Sequence, residues 1–323
     1  MSSSARILAA AFIAAAAFSS QASGASYPDR AIRIVVPFPA GGPTDTVARK
    51  IGDGLSQRLG QSVVVENRPG ANTIIGADAV AKSRPDGYTL LLTNTGVVQN
   101  PWLYKTLPYD LDKDLTAVAQ LVQAPLVLTV NGSLPVTSLK TLVEYEKANP
   151  DKTAYASTSI GGTTNIYGEQ MKRLYSLNTV HVPYKGDPAV LPDLLSNRVQ
   201  WYFATASQVA QYIDQGRLRA LGVTGKSRLA AMPDVPTMLE QGHEGFETVA
   251  WYGVFAPSGT PQDVLDKLGT EITAIVKSPE MTKFFNDNMF VPAALGAKEF
   301  SAVVKDDLLK WKDLIQSNHI KIE

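Results

Sequence analysis

Ile32-Arg33-Ile34-Val35-Val36-Pro37-Phe38-Pro39-Ala40-Gly41-Gly42-Pro43-Thr44-Asp45 runs from a β-branched stretch, through two prolines and two glycines, into residues suited to open a helix. The first five residues read as a strand. The spacing of Val47, Ala48, Ile51 and Leu55 predicts a helix beginning near Thr44, with one apolar face. A strand, a Gly-Gly turn and a helix make an α/β unit, and the pattern continues on its C-terminal side. Val63-Val64-Val65 reads as a second strand, Ile74 to Ala81 as a helix, and Tyr88 to Leu92 as a third strand ending at Thr93-Asn94-Thr95-Gly96. That succession builds half of a parallel sheet with right-handed crossovers.

A second series follows Pro125-Leu126-Val127-Leu128-Thr129-Val130. Leu139 to Ala148 is read as a helix and Ala154 to Ala156 as a strand end. Ser157 to Thr164 is read as a loop opening a helix through Leu174, and Val180 to Val182 and Leu218 to Val223 as strands. Met232-Pro233-Asp234-Val235-Pro236 reads as extended, Trp251 to Phe255 follows it, and helices near 264–276, 280–288 and 298–316 close the chain. The expected fold class is α/β with two lobes, each a mostly parallel sheet flanked by helices, and crossover strands between them. Lobe 1 is assigned residues 26–125 and 226–323, and lobe 2 residues 126–225. A ligand cleft between the lobes is the natural site.

Upstream, Arg6 precedes an unbroken apolar run from Ile7 to Phe18 and the small-residue stretch Ser20-Gln21-Ala22-Ser23-Gly24-Ala25. This is the pattern of a secretory signal over residues 1–25, cleaved after Ala22 or Ala25. The run is shorter than the about 20 residues of a bilayer span. The chain has no cysteine, which excludes thiol chemistry. Its 30 Lys+Arg balance 30 Asp+Glu, so the basic bias expected of a nucleic-acid or membrane-surface binder is missing.

Two loops carry the chemistry. In Phe38, Pro39, Ala40, Gly41 and Gly42, before a helix, free backbone N–H groups and the helix dipole attract an anion. In the other half, Ser157, Thr158, Ser159, Thr163 and Thr164 supply hydroxyls around Gly161 and Gly162, again before a helix. Two facing helix N-termini suit carboxylate groups. Gly222 to Ser227 ends like a phosphate-binding loop, but Ala220 stands where its first glycine belongs. His181, His243 and His319 share no metal-ligand spacing, and His181 reads as a strand residue bonded to backbone. No Gly-x-Ser-x-Gly elbow is present. No metal, cofactor or catalytic residue is therefore expected, and the chain is read as a binder and not an enzyme.

Read together, the motifs are more specific. Tyr27-Pro28, Val35 to Gly42, Val65-Glu66-Asn67-Arg68-Pro69-Gly70, Pro85-Asp86-Gly87-Tyr88, His181 to Gly186, Leu218 to Thr224, Pro233 to Thr237 and Trp251-Tyr252-Gly253 resemble, in order, the Bug family. These are the periplasmic receptors of tripartite tricarboxylate transporters. The resemblance implies a Venus-flytrap fold and a periplasmic, monomeric receptor that closes on a small mono- or dicarboxylate, aliphatic or aromatic. It further implies delivery to integral membrane permease subunits. The implied contacts are Phe38 to Gly42, Asn94 and Thr95, Ser157 to Ser159 with Gly161 and Thr163, and Tyr184, Lys185 and Gly186. Asp45 is read as a helix cap or water-ordering group.

This chain departs from the family pattern at Ser159 (usually glycine), at Asn165 (usually histidine) and around Gln200 to Thr205, so Thr205 joins the candidate contacts. Lys185 is the one cation placed beside the cleft. Two alternatives stand beside transport: presentation of the ligand to a sensor kinase, and a secreted α/β hydrolase.

Overall fold

A computed structural model describes residues 27–322; the signal segment expected over residues 1–25 lies outside the described residues. The opening stretch forms β1 (Ile32–Val36), the turn, and α1 (Pro43–Leu59). β2 (Val63–Asn67), α2 (Ile74–Ala81) and β3 (Thr89–Asn94) complete the parallel unit, with Ile34 opposite both Val65 and Leu90. Four of the five residues of β1 are buried, Arg33 being the exception. Ile32, Ile34 and Val36 pack on Val47 and Ile51 of α1, and Val35 joins the cluster on the opposite face, so the strand reads as an apolar run.

The chain continues through α3 (Gly96–Leu103) and α4 (Leu111–Asp114) into β4 (Leu115–Ala124), crosses at Pro125, and starts the second sheet with β5 (Leu126–Asn131). There follow α5 (Leu139–Ala148), β6 (Ala154–Ser157), α6 (Thr163–Tyr175), β7 (Val180–Pro183), α7 (Asp187–Leu195), β8 (Trp201–Thr205), α8 (Ala206–Asp214) and β9 (Leu218–Val223). The return to the first sheet is β10 (Ala250–Pro257), then α9 (Gln262–Val276), α10 (Pro279–Asp287), β11 (Val291–Leu295) and α11 (Ala297–Ser317). The sheet orders are β11-β4-β10-β3-β1-β2 and β7-β6-β8-β5-β9. This is the two-lobe architecture of mixed sheets flanked by helices.

Several elements escaped the sequence reading. α3 and α7 are short and contain Pro101 and Pro192, which interrupt a helical pattern, and β8 is buried on both faces and does not alternate. Residues 226–249 hold to the edge of the second sheet: Val223 N donates to Pro236 O at 3.0 Å, Met238 N to Val223 O at 2.9 Å, and Leu229 and Met232 pack on Val127 and Ala206. A proline-rich extended segment cannot extend a helix layer, but it can satisfy the open edge of β9.

Strand directions fix where a ligand can enter. β4 ends, and β5 begins, at the crossing. β4 runs antiparallel to β10, and β10 antiparallel to β3, so the carboxyl ends of β1 and β3 lie at the crossing edge. In the second sheet β5 runs antiparallel to β8, which is parallel to β6, so the ends of β6, β7 and β8 lie at the same crossing. The two carboxyl edges therefore face one another. That is the usual ligand crevice of open α/β sheets.

Behind this crossing α11 braces both sheets. Phe300 fills the space over Gly253, where a Cβ would stand 2.2 Å from its ring. Trp251 Nε1 donates to Asp307 Oδ2 at 2.6 Å, and Trp311 lies 5.7 Å from Tyr167 of α6. One buried cluster thus runs from Val35 and Phe255 through Trp311 to Tyr155 and Phe203.

Candidate functional site

Two helix-opening loops stand on the facing edges and share one construction. In the first, Gly41 is left-handed (φ +80°) and Gly42 is the N-cap, with no side-chain cap of its own. Pro43 begins the helix, where its missing N–H costs nothing. Asp45, 2 % exposed, folds back to accept from Gly41 N at 2.8 Å and takes Arg49 Nε at 2.9 Å and Asn67 Nδ2 at 2.9 Å. These hydrogen bonds hold its carboxyl below the ordinary range against the opposing effect of burial. Asn67 Nδ2 also reaches Phe38 O at 3.1 Å, so the loop is pinned at both ends.

In the second, Gly161 is left-handed (φ +74°), Gly162 is the N-cap, and Asn165 Oδ1 accepts from Gly161 N at 2.9 Å. Thr158 N donates to Thr164 Oγ1 at 3.0 Å. Among the described residues, the amides of Gly42, Thr44 and Asp45 in one loop, and of Gly162, Thr163 and Thr164 in the other, have no protein acceptor. Unpaired N–H groups at a helix N-terminus form an anion site.

The remaining candidates lie on the same edges. Asn94 Oδ1 accepts from Gly96 N at 2.9 Å and shapes the turn into α3, where Thr95 is the buried N-cap. Tyr184 N and Gly186 N donate to Ser157 O and Thr158 O at 2.8 and 3.3 Å, which ties the loop after β7 to the loop after β6. The Tyr184 hydroxyl donates to Asp193 Oδ2 at 2.8 Å, so that part of the side chain is already engaged away from the opposing loop. Lys185 is exposed. Thr205, at the end of β8, donates through N and Oγ1 to Asp187 at 3.1 and 3.2 Å.

The lobes touch across the cleft at named atoms. Gln99 of α3, 1 % exposed, donates from Nε2 to Thr163 Oγ1 at 2.9 Å. Tyr252 of β10 is pushed up to about 12 by burial, with Thr44 lowering it and the Asp187 charge adding to the rise. Asp187 and Gln99 were not singled out from the sequence, whereas Tyr252 stands in the Trp251-Tyr252-Gly253 block. An acidic residue followed by proline at a helix start was the available signal for Asp187.

His181 corrects its sequence reading: it stacks on Tyr155 with centroids 4.8 Å apart and lies 2.7 Å from Ser157 Oγ, a side-chain partner and not backbone. Burial lowers its pKa. A Ser–His pair at this spacing is the geometry of an activated nucleophile. Ser157 Oγ, however, donates its proton to Ser159 O at 3.0 Å, so His181 does not hold it as a base.

Residues 47–320 match the Tripartite tricarboxylate transporter family receptor (TctC). The chain belongs to this family. The receptor is 36 % identical over 292 residues to the UPF0065 protein in the tcbD-tcbE intergenic region of Pseudomonas sp. (strain P51), covering 90 % of this chain and 87 % of the relative. Among solved structures, Rpa4515 of R. palustris with adipate superposes with a TM-score of 0.82 at 32 % identity, covering 92 % of this chain and all of that one. MatC from Rhodopseudomonas palustris with bound malate gives 0.77 at 29 % identity, covering 90 % of this chain and all of that one. Members of this family are solute-binding receptors, and the two-lobed fold of this receptor is theirs.

Proposed function

We propose that this receptor captures a small mono- or dicarboxylate between the loops at Phe38–Gly42 and Ser157–Thr163 and passes it to the membrane permease of a tripartite transporter. The observation that carries the reading is the pair of opposed helix N-termini with unpaired amides, each clamped by a residue reaching back to a left-handed glycine. Clamping before the ligand arrives lowers the cost of ordering the site. Similar proteins solved with adipate and malate support the ligand class. Asn94, Thr95, Gly186 and Thr205 complete the rim, and Lys185 supplies an exposed positive charge at its edge. Tyr184 contributes its backbone and ring.

The protein works as an exported, periplasmic monomer, with residues 27–124 and 250–322 in one lobe and 126–249 in the other, and it performs no chemistry on its ligand. Closure follows from tighter binding to the shut state, in which both loops reach the ligand. Isothermal titration of the purified protein with aliphatic and aromatic carboxylates tests the proposal. At ligand about 100 times Kd, a rise in unfolding free energy of about 2.7 kcal/mol is expected. Binding of sugars in place of every carboxylate overturns it.

A further inference from the structure

Asp187 is the first residue of α7 and brings its carboxylate to Thr205 at the carboxyl end of β8, on the edge that faces the other lobe. Oδ1 accepts from Tyr202 OH at 2.9 Å and from Thr205 N at 3.1 Å, and Oδ2 accepts from Thr205 Oγ1 at 3.2 Å. A carboxylate offers about four acceptor positions, so room for one more donor remains on Oδ2. Among the described residues, no Lys or Arg nitrogen lies within 4.0 Å of it. The other acidic group at the cleft, Asp45, differs in this respect because Arg49 neutralises it. Asp187 is only partly buried, and it follows Gly186, whose N donates to Thr158 O at 3.3 Å and so ties this helix start to the second loop.

A bland role exists. An acid in the first turn complements the helix dipole, and this one ties α7 to the end of β8. That role accounts for the Thr205 and Tyr202 bonds, but not for a charge without a Lys or Arg partner at the sheet edge that carries the Ser157–Thr163 loop. Closing the cleft removes water from this charge, which is costly without a new partner. A ligand carboxylate placed against it is repelled, whereas an ammonium or hydroxyl group is attracted.

Building on the carboxylate-capture reading, we infer that Asp187 is a specificity-determining residue that receives a hydrogen-bond donor of the ligand. The ligand class is then a carboxylate carrying an ammonium or hydroxyl group, with an unsubstituted dicarboxylate disfavoured. The two loops hold the carboxylate end, and Asp187 reads the substituent.

Titration calorimetry of the purified protein with succinate, malate and aspartate, which differ only at C2, tests this directly. Malate or aspartate is expected to bind about tenfold or more tighter than succinate, and whichever leads identifies the donor. Asp187→Asn, which keeps one acceptor oxygen for Thr205 and Tyr202, is expected to shrink that ratio to about twofold. The ranking by the unaltered protein stands by itself if the variant does not fold. Succinate binding as tightly as the substituted acids overturns the assignment alone, and so does a ratio that Asp187→Asn leaves unchanged. Failure of all carboxylates to bind overturns the capture reading and this assignment together.

Discussion

Asp45 and Asn165 occupy equivalent places in the two lobes. Each is the third residue of a helix, and each carries its side-chain oxygen back to the amide of a left-handed glycine four positions earlier, at 2.8 and 2.9 Å. The sequences Gly41-Gly42-Pro43-Thr44-Asp45 and Gly161-Gly162-Thr163-Thr164-Asn165 are therefore one structural device used twice. The residue that reaches back occupies the glycine amide and leaves the next amides free. It thereby shapes the anion site without entering it.

Removing either clamp is expected to loosen its loop and weaken binding. Asn165→Ala also loses the bond from Nδ2 to Tyr155 OH at 2.8 Å. A loss of about 1–2 kcal/mol in unfolding free energy is expected for Asp45→Ala and for Asn165→Ala, measured by urea denaturation.

The two glycines should differ in tolerance. At Gly41 a Cβ meets nothing within 4 Å, so Gly41→Ala carries only the left-handed backbone cost of about 1–2 kcal/mol. At Gly161 the same Cβ would stand 2.4 Å from Ile322 Cδ1 and 3.2 Å from Leu103 Cδ1, so Gly161→Ala should be the more damaging. Comparison of the two melting temperatures checks the order.

Gln99 and Thr163 join the lobes by a bond that requires the lobes to sit as they do here. Gln99→Leu is expected to remove about 1 kcal/mol from the closed arrangement and weaken ligand affinity about fivefold. Calorimetry measures the affinity, and small-angle scattering of the ligand-free protein should show a more open average shape.

Asp307 makes stability depend on pH. Burial raises its carboxyl from the ordinary 3.8 to about 6, opposed by its bond from Trp251. The folded state therefore holds this proton more tightly than the unfolded one. The resulting stabilisation is fully present below pH 3.8 and is lost as pH rises through 6. Asp307→Asn keeps an acceptor for Trp251 and should be more stable than the parent at pH 8 by up to about 3 kcal/mol, with the difference vanishing near pH 4. Denaturant titrations at both pH values test this.

The strand–turn–helix units were legible because their signals are local. Ile32 to Val36, the helical face from Val47 to Leu55, and the helices over 74–81 and 139–148 emerge where periodicity and punctuation placed them. α7 was hidden, since Asp187-Pro188 and Pro192 break the periodic signal and only packing on β8 rewards a helix there. The extended segment before β10 was readable as extended, but not its choice of sheet. That choice depends on which edge offers unpaired backbone groups.

For this protein, the sequence by itself determined two α/β series, a Gly-Gly turn before a helix in each, the family, and the absence of thiol chemistry. Each follows from residues near one another in the chain or from composition. Only the tertiary structure decided that Asp187 takes Thr205, that Ser157 meets His181, and that Gln99 meets Thr163 across the cleft. These pairings join residues 18 to 64 positions apart; packing within the second lobe sets the first two, and the crossing of the two sheets at Pro125 sets the third. No local propensity encodes a distance between two lobes; it is fixed by strand direction, the crossing point, and the helix that braces both sheets.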